Sequence, residues 1–179
     1  MIEINGLCKS YKKKAVLKGI DLSINEGEVI GLVGKNGAGK TTLMKCIAKQ
    51  LMPTSGAVFV DSVDMLKYTS CPGNIGVLMN PVFFEHLSAY DNLKFFLKIN
   101  RKTEYVSNID DALRNVGLYE VRNQNPKEFS FGMKQRLGLA MCLIDKPAYL
   151  LLDEPFVGLD PDGLKDFIYL PESVKLIQN

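Results

Sequence analysis

No two of the four cysteines form a C-x-x-C pair: Cys8, Cys46, Cys71 and Cys142 are scattered along 179 residues. That spacing argues against both a structural zinc site and a disulfide framework, and it suits a reducing compartment. Histidine is nearly absent, and the single His86, set between two segments, reads as a surface residue rather than a catalytic one. Charge of either sign is not in excess. A net charge of +2 speaks against a surface that tracks a polyphosphate chain, so no nucleic-acid partner is expected. Long apolar runs are missing too, and nothing approaches the roughly 20 residues of a membrane-spanning helix. The opening MIEINGLCKSYKKK has no apolar stretch after its charges and does not read as a signal peptide. Any membrane association is therefore expected to come through another chain. With 46% hydrophobic and 23% charged residues, the chain has the make-up of one soluble globular domain.

The most informative stretch is Gly34 to Thr42, GKNGAGKTT, which fits G-x-x-x-x-G-K-[ST] at Gly34, Gly39, Lys40 and Thr41. Before it comes the short apolar run Val29–Val33. After it, Lys40 to Leu51 places Leu43, Ile47 and Leu51 on one helical face. Strand, glycine-rich loop and helix form the context in which this motif wraps the phosphates of a nucleotide. Gly34, Gly37 and Gly39 let the backbone come close, and the loop residues Asn36, Ala38 and Thr42 belong to the same cradle. Backbone N–H groups and the helix N-terminus face the phosphate oxygens. Lys40 adds a point charge at the β- and γ-phosphates, and the Thr41 hydroxyl is placed to ligate Mg²⁺. The plainer alternative is a glycine-rich turn before a core helix, and the complete motif with both flanking elements favours the phosphate loop.

Elsewhere the chain punctuates itself clearly. Ile2–Ile4, Ala15–Leu17 and Ile20–Ile24 read as short strands, and residues 25–28 as a turn. Tyr11 reads from spacing as a half-buried strand aromatic rather than a base-stacking platform. Ala57–Val60 and Ile75–Met79 are further strand candidates, the second ending at Asn80-Pro81. No chemistry is read in residues 61–74. From Leu87 to Glu128 the texture is helical, with Leu93, Phe96, Leu97, Ile109, Leu113 and Val116 at helical spacing. A helical subdomain of about residues 81–140 is therefore expected. Ser130 is a natural N-cap for a helix carrying Leu137, Ala140, Met141 and Ile144 on one face. Tyr149–Leu152 is an apolar run closing on Asp153 and Glu154. Alone, these would be two solvated acids at a strand end. Downstream of a phosphate loop, Asp153 can hold the Mg²⁺ shell, and Glu154 can orient or deprotonate the water attacking the γ-phosphate.

These motifs, in this order, make the chain resemble the nucleotide-binding domain of ATP-binding-cassette (ABC) proteins from about residue 1 to residue 168. They are an aromatic at Tyr11, the Walker A loop Gly34–Thr42, and the signature FSFGM at Phe129–Met133. The Walker B strand with its acid follows at Leu150–Glu154, then a D-loop at Val157–Asp160. The resemblance implies an α/β P-loop NTPase fold with a mixed sheet core, an N-terminal antiparallel β part and a helical insert. It implies ATP and Mg²⁺ as ligands, with Glu154, Lys40 and Asn80 catalytic and with Thr41, Asp153 and Asn80 at the metal. It assigns Tyr11 to the adenine ring, against the reading from spacing. Ser130 and Gly132 would contact the γ-phosphate on an opposite subunit, in a homo- or heterodimer of such domains bridged by Asp160. Residues around 80–95 would meet a coupling helix of a transmembrane permease, which would hold the protein at the cytoplasmic face of the plasma membrane. The wording SFGMKQRLGLA is most similar to bacterial exporters of the antibiotic-peptide and multidrug kind.

Three departures stand out against the family pattern. Asn80 takes the place of a Gln, in a loop one residue shorter, and Phe131 replaces a small or aliphatic signature residue. After Phe167 the family has a longer helix and a strand ending in a switch histidine, whereas this sequence has no histidine beyond His86. The expected slot for that strand lies between the Walker A and Walker B strands, and Ser173–Ile177 has β-type composition for a substitute. On this reading the 1–179 cassette is truncated, incomplete after about residue 168, and poorly soluble or partly unfolded when purified. The main expectation is the ATP-hydrolysing subunit of an exporter. The alternatives are a nucleotide-binding remnant without turnover, or a soluble ABC ATPase acting on ribosomes or DNA, which the near-neutral charge disfavours.

Overall fold

A computed structural model describes residues 1–12, 14–25, 27–67, 75–154 and 175–178. In chain order these form β1 (Ile2–Tyr11), β2 (Lys14–Ile24), β3 (Val29–Gly31), α1 (Lys40–Ile47), β4 (Ser55–Val60) and β5 (Val63–Asp64). Then come β6 (Ile75–Leu78), α2 (Ala89–Ile99), α3 (Ile109–Asn115), α4 (Phe131–Leu143), β7 (Tyr149–Leu152) and β8 (Lys175–Gln178).

Alternation in β1 buries Ile2 and Ile4, a register shift after Ile4 brings Leu7 in as well, and this strand anchors an antiparallel sheet of order β2-β1-β4-β5. The sequence suggests two short strands where β2 is continuous. Shifts in its pairing with β1 absorb the Lys18-Gly19 interruption, with Gly19 at φ 66.

The second sheet is wholly parallel, in the order β3-β8-β7-β6. Its centre is β7, all four of whose residues are buried. Tyr149 and Leu151 face a core shared with the antiparallel sheet and α1, while Leu150 and Leu152 face a second core built with α2–α4. An unbroken apolar run is what a strand covered on both faces requires. The slot between the Walker A and Walker B strands is filled by β8, whose Leu176 pairs with Val29 on one side and Leu150 on the other.

Helix α1 is shorter than its apolar spacing suggests. Lys49 turns left-handed at φ 55, and Gln50 and Leu51 direct their N–H groups back to the Lys45 carbonyl. Leu51 therefore reaches the core from a turn and not from the helix.

Two devices fix the helical layer on the parallel sheet. A Cβ at Gly138 would lie 2.8 Å from Leu78 Cδ1 and from Cβ and Cγ of Pro81, so the missing side chain is what lets α4 close on the end of β6. Asn92, 2% exposed, accepts from Phe84 N–H and donates to the carbonyls of Phe84, Leu87 and Ser88. That set of bonds locks residues 84–88 onto α2. At the far end, Lys102 pairs with Asp145, and the Asn108 amide donates to the Ile144 carbonyl. Burial pushes the Cys142 thiol up to about 12 and raises Cys46 as well, so both stay protonated packing groups. Cys71 lies outside the described residues. Among the described residues, no helix is long and apolar enough to cross a membrane.

Gly138→Ala is expected to destabilise by about 1–3 kcal/mol through overpacking, since the Pro81 ring cannot yield. Thermal unfolding should show a Tm lower by about 2–12 °C, and an unchanged Tm would contradict the close approach described.

Candidate functional site

All four parallel strands end at one edge: Gly31, Gln178, Leu152 and Leu78 lie in register. Open α/β sheets bind ligands outside the carboxyl ends of their strands, and here Asp153, Glu154 and the loop entering α1 follow that edge. The loop from Gly34 to Ala38 is exposed, and Gly39, Lys40, Thr41 and Thr42 are half-buried where it enters α1. Gly39 sits at φ 105, and a Cβ there would stand 3.1 Å from the side chains of Val16 and Leu17. Only glycine fits both demands. The β1–β2 hairpin, with Tyr11 near its tip, is therefore held against the phosphate loop.

Lys40 Nζ donates to the Gly34 carbonyl at 2.8 Å, which lays the ammonium across its own loop. Thr41 Oγ1 donates to Asp153 Oδ2 at 2.8 Å. The hydroxyl of the first motif and the carboxylate of the second thus share one site, although 112 residues separate them. Both are hard oxygen donors, the kind Mg²⁺ takes. Asp153 is also held through its backbone, whose N–H donates to Leu78 O at 2.9 Å.

Asn80 and Glu154 each lie two residues beyond the paired ends of β6 and β7, Leu78 and Leu152. Both residues are exposed and both stand at φ 49. Asparagine enters that left-handed region more readily than most residues, which gives a local reason for Asn80 in this short loop. For Glu154 the same conformation is strained, as backbones at functional sites often are.

The remaining candidates lie elsewhere. Ser130 caps α4 by accepting from Met133 N–H at 3.2 Å, and Gly132 is half-buried in the first helical turn. Among the described residues no hydrogen bond joins Ser130 or Gly132 to the phosphate loop. Phe131 is 57% exposed and borders a groove of about 450 Å³ with Asn80, Val82, Glu85 and Lys134. Tyr11 is 48% exposed at the end of β1. Asp160 lies outside the described residues.

Sequence patterning missed Val16 and Leu17 as the wall behind Gly39, since ordinary strand residues carry no mark of what they touch. It also missed Asn92, whose signal was available: a polar residue next to Leu93 in the buried register of α2.

Comparison with known proteins adds to this geometry. The sequence profile described as "ABC transporter" matches residues 17–157. The chain is 38% identical over 169 residues to an uncharacterized ABC transporter ATP-binding protein, YdbJ, of Bacillus subtilis, covering 93% of this chain and 54% of that protein. It is 38% identical over 180 residues to the lantibiotic transport ATP-binding protein SrtF of Streptococcus pyogenes, covering 98% of this chain and 75% of SrtF. The chain thus spans about half the length of the first of these relatives. A solved ATP-binding subunit of an ABC transporter superposes with a TM-score of 0.85 at 25% identity, over all of this chain and 79% of that one.

Thr41→Val removes the hydroxyl that bonds Asp153. A hydrogen bond to a charged partner contributes about 1.5–3 kcal/mol, and less at a half-exposed site. A ligand-free Tm lower by about 2–6 °C is expected, and no change would show that the bond holds nothing together.

Proposed function

The chain belongs to the ABC transporter family of ATP-binding proteins, and from that premise we propose that it binds and hydrolyses ATP to energise a membrane exporter. The observation that supports this best is the Thr41–Asp153 hydrogen bond, which unites the phosphate loop with the acid-ended strand. Lys40, with the loop N–H groups of residues 34–42, holds the β- and γ-phosphates. Thr41 and Asp153 would hold Mg²⁺, with Asn80 as a further oxygen donor. The bound ion supplies charge neutralisation at the β- and γ-oxygens. Glu154 orients and deprotonates the attacking water, and Asn80, two residues past the end of the neighbouring strand, offers a second oxygen to that water. Tyr11 takes the adenine ring on its exposed face.

Ser130 and Gly132, with no hydrogen bond to the chain's own phosphate loop among the described residues, serve the γ-phosphate of a second such domain in a dimer. The N-terminus of α4 suits that anion. Residues of about 81–140 act as a helical subdomain. The groove bordered by Val82, 83% exposed, and Phe131 gives a permease subunit an apolar foothold. That partner places the protein on the cytoplasmic face of the plasma membrane. The name of SrtF, a lantibiotic transport protein, supports antibiotic peptides as the exported class.

With ATP at 100 times its Kd, mass action adds about 2.7 kcal/mol of stability, or a Tm rise of about 5–11 °C. Lys40→Ala should abolish that rise, and an undiminished rise would refute the phosphate site. Glu154→Gln should keep the rise while lowering the steady-state ATPase rate by about 10²–10⁴-fold. Equal background rates for both chains, with ATP still raising Tm, would leave a binding protein without turnover.

A further inference from the structure

Lys9 and Tyr11 lie two residues apart on β1, a spacing that sends strand side chains to the same face. The Lys9 ammonium stands over the Tyr11 ring, 5.3 Å from its centroid. The same nitrogen donates to the Met52 carbonyl at 2.6 Å. Met52 lies in the turn that leaves α1, and this turn is fastened to β1 twice more. Thr54 N–H donates to Cys8 O at 2.8 Å, and Ser10 N–H donates to Thr54 Oγ1 at 3.0 Å. The end of β1 is therefore sewn to the segment that follows the phosphate-loop helix, while Val16 and Leu17 press its hairpin onto Gly39.

A cation within about 6 Å of an aromatic centroid is held by the ring's quadrupole. Here the cation is itself fixed by a backbone carbonyl, so it restrains the ring rather than following it. One face of Tyr11 is taken by Lys9, and the side chain remains 48% exposed. A ring already oriented loses less freedom when a flat ligand stacks on it.

We propose that Lys9 is a positioning residue that holds Tyr11 as a one-faced platform for the purine base of the nucleotide whose phosphates lie in the Gly34–Thr42 loop. This rests on the reading of Tyr11 given above. Lys9 acts on base recognition through Tyr11, and its tether at Met52 ties the base platform to the phosphate-loop helix. Phosphate binding is left untouched.

Calorimetric titration of the full chain with MgATP, and separately with inorganic tripolyphosphate, tests this. Lys9→Met should raise the Kd for ATP about two- to fivefold, the scale of an exposed cation–π contact, with the Kd for tripolyphosphate unchanged. Lys9→Arg should restore ATP binding, and Lys9→Met should add nothing in a Tyr11→Ala background. Lys9→Gln keeps a donor for Met52 without the charge, and it should weaken ATP as Lys9→Met does even if the latter folds poorly. Equal weakening of both ligands, or a full added loss on top of Tyr11→Ala, overturns the proposal. So does normal ATP affinity in Lys9→Met while Tyr11→Ala weakens ATP. If Tyr11→Ala itself leaves ATP affinity unchanged, the base-platform reading falls, and the role of Lys9 falls with it.

Discussion

One hydroxyl-to-carboxylate bond, Thr41 to Asp153, carries the organisation of the molecule. It can form only if the strand entering the phosphate loop and the strand ending in acids run the same way and finish at the same level. Parallel strands cannot be joined by a tight turn, so each connection has to cross a layer. Between β3 and β7 the chain spends more than a hundred residues on α1, the strands β4 to β6 and the helical layer. The two halves of the site are thus distant in sequence because they lie on parallel strands of one sheet, with β8 between them. Two apolar cores, one on each face of β7, keep that sheet in place.

The helical layer meets the same edge by a different route. Gly138 draws α4 down onto Leu78 and Pro81, next to Asn80. Asn92 gathers the backbone of residues 84–88, so the loop leaving Asn80 arrives at α2 already ordered. The groove beside Phe131 consequently has one wall on the α4 helix and the other on the loop that begins at Asn80. A partner seated there would press on residues that also reach the carboxyl edge. Interiors packed at crystal-like density transmit such displacement rather than absorb it.

Local pattern made much of this legible. The glycine-rich loop entering α1, the cap at Ser130, and the buried strand before Asp153 each rest on neighbours within a few residues, and each appears where spacing puts it. The misreadings have physical causes of the same kind. Leu51 has helical spacing but lies beyond the left-handed Lys49, and periodicity is blind to a single dihedral. The Lys18-Gly19 interruption looks like a strand break, yet pairing with β1 carries β2 across it. The strand-aromatic reading of Tyr11 fits its half-exposed place at the end of β1, while the ammonium over its ring is a contact that spacing does not carry.

By itself the sequence determined which groups are present and what each could do: a cradle of N–H groups, one lysine charge, one hydroxyl and two adjacent acids. These follow from residue type and short spacing, where the covalent chain dictates geometry. Only the tertiary structure decided that the hydroxyl meets the acid, that β6 and β7 end level with each other, and that β8 lies between β3 and β7. Such contacts depend on strand order and register. Order and register are set by which apolar faces bury one another, a choice made by the whole chain at once.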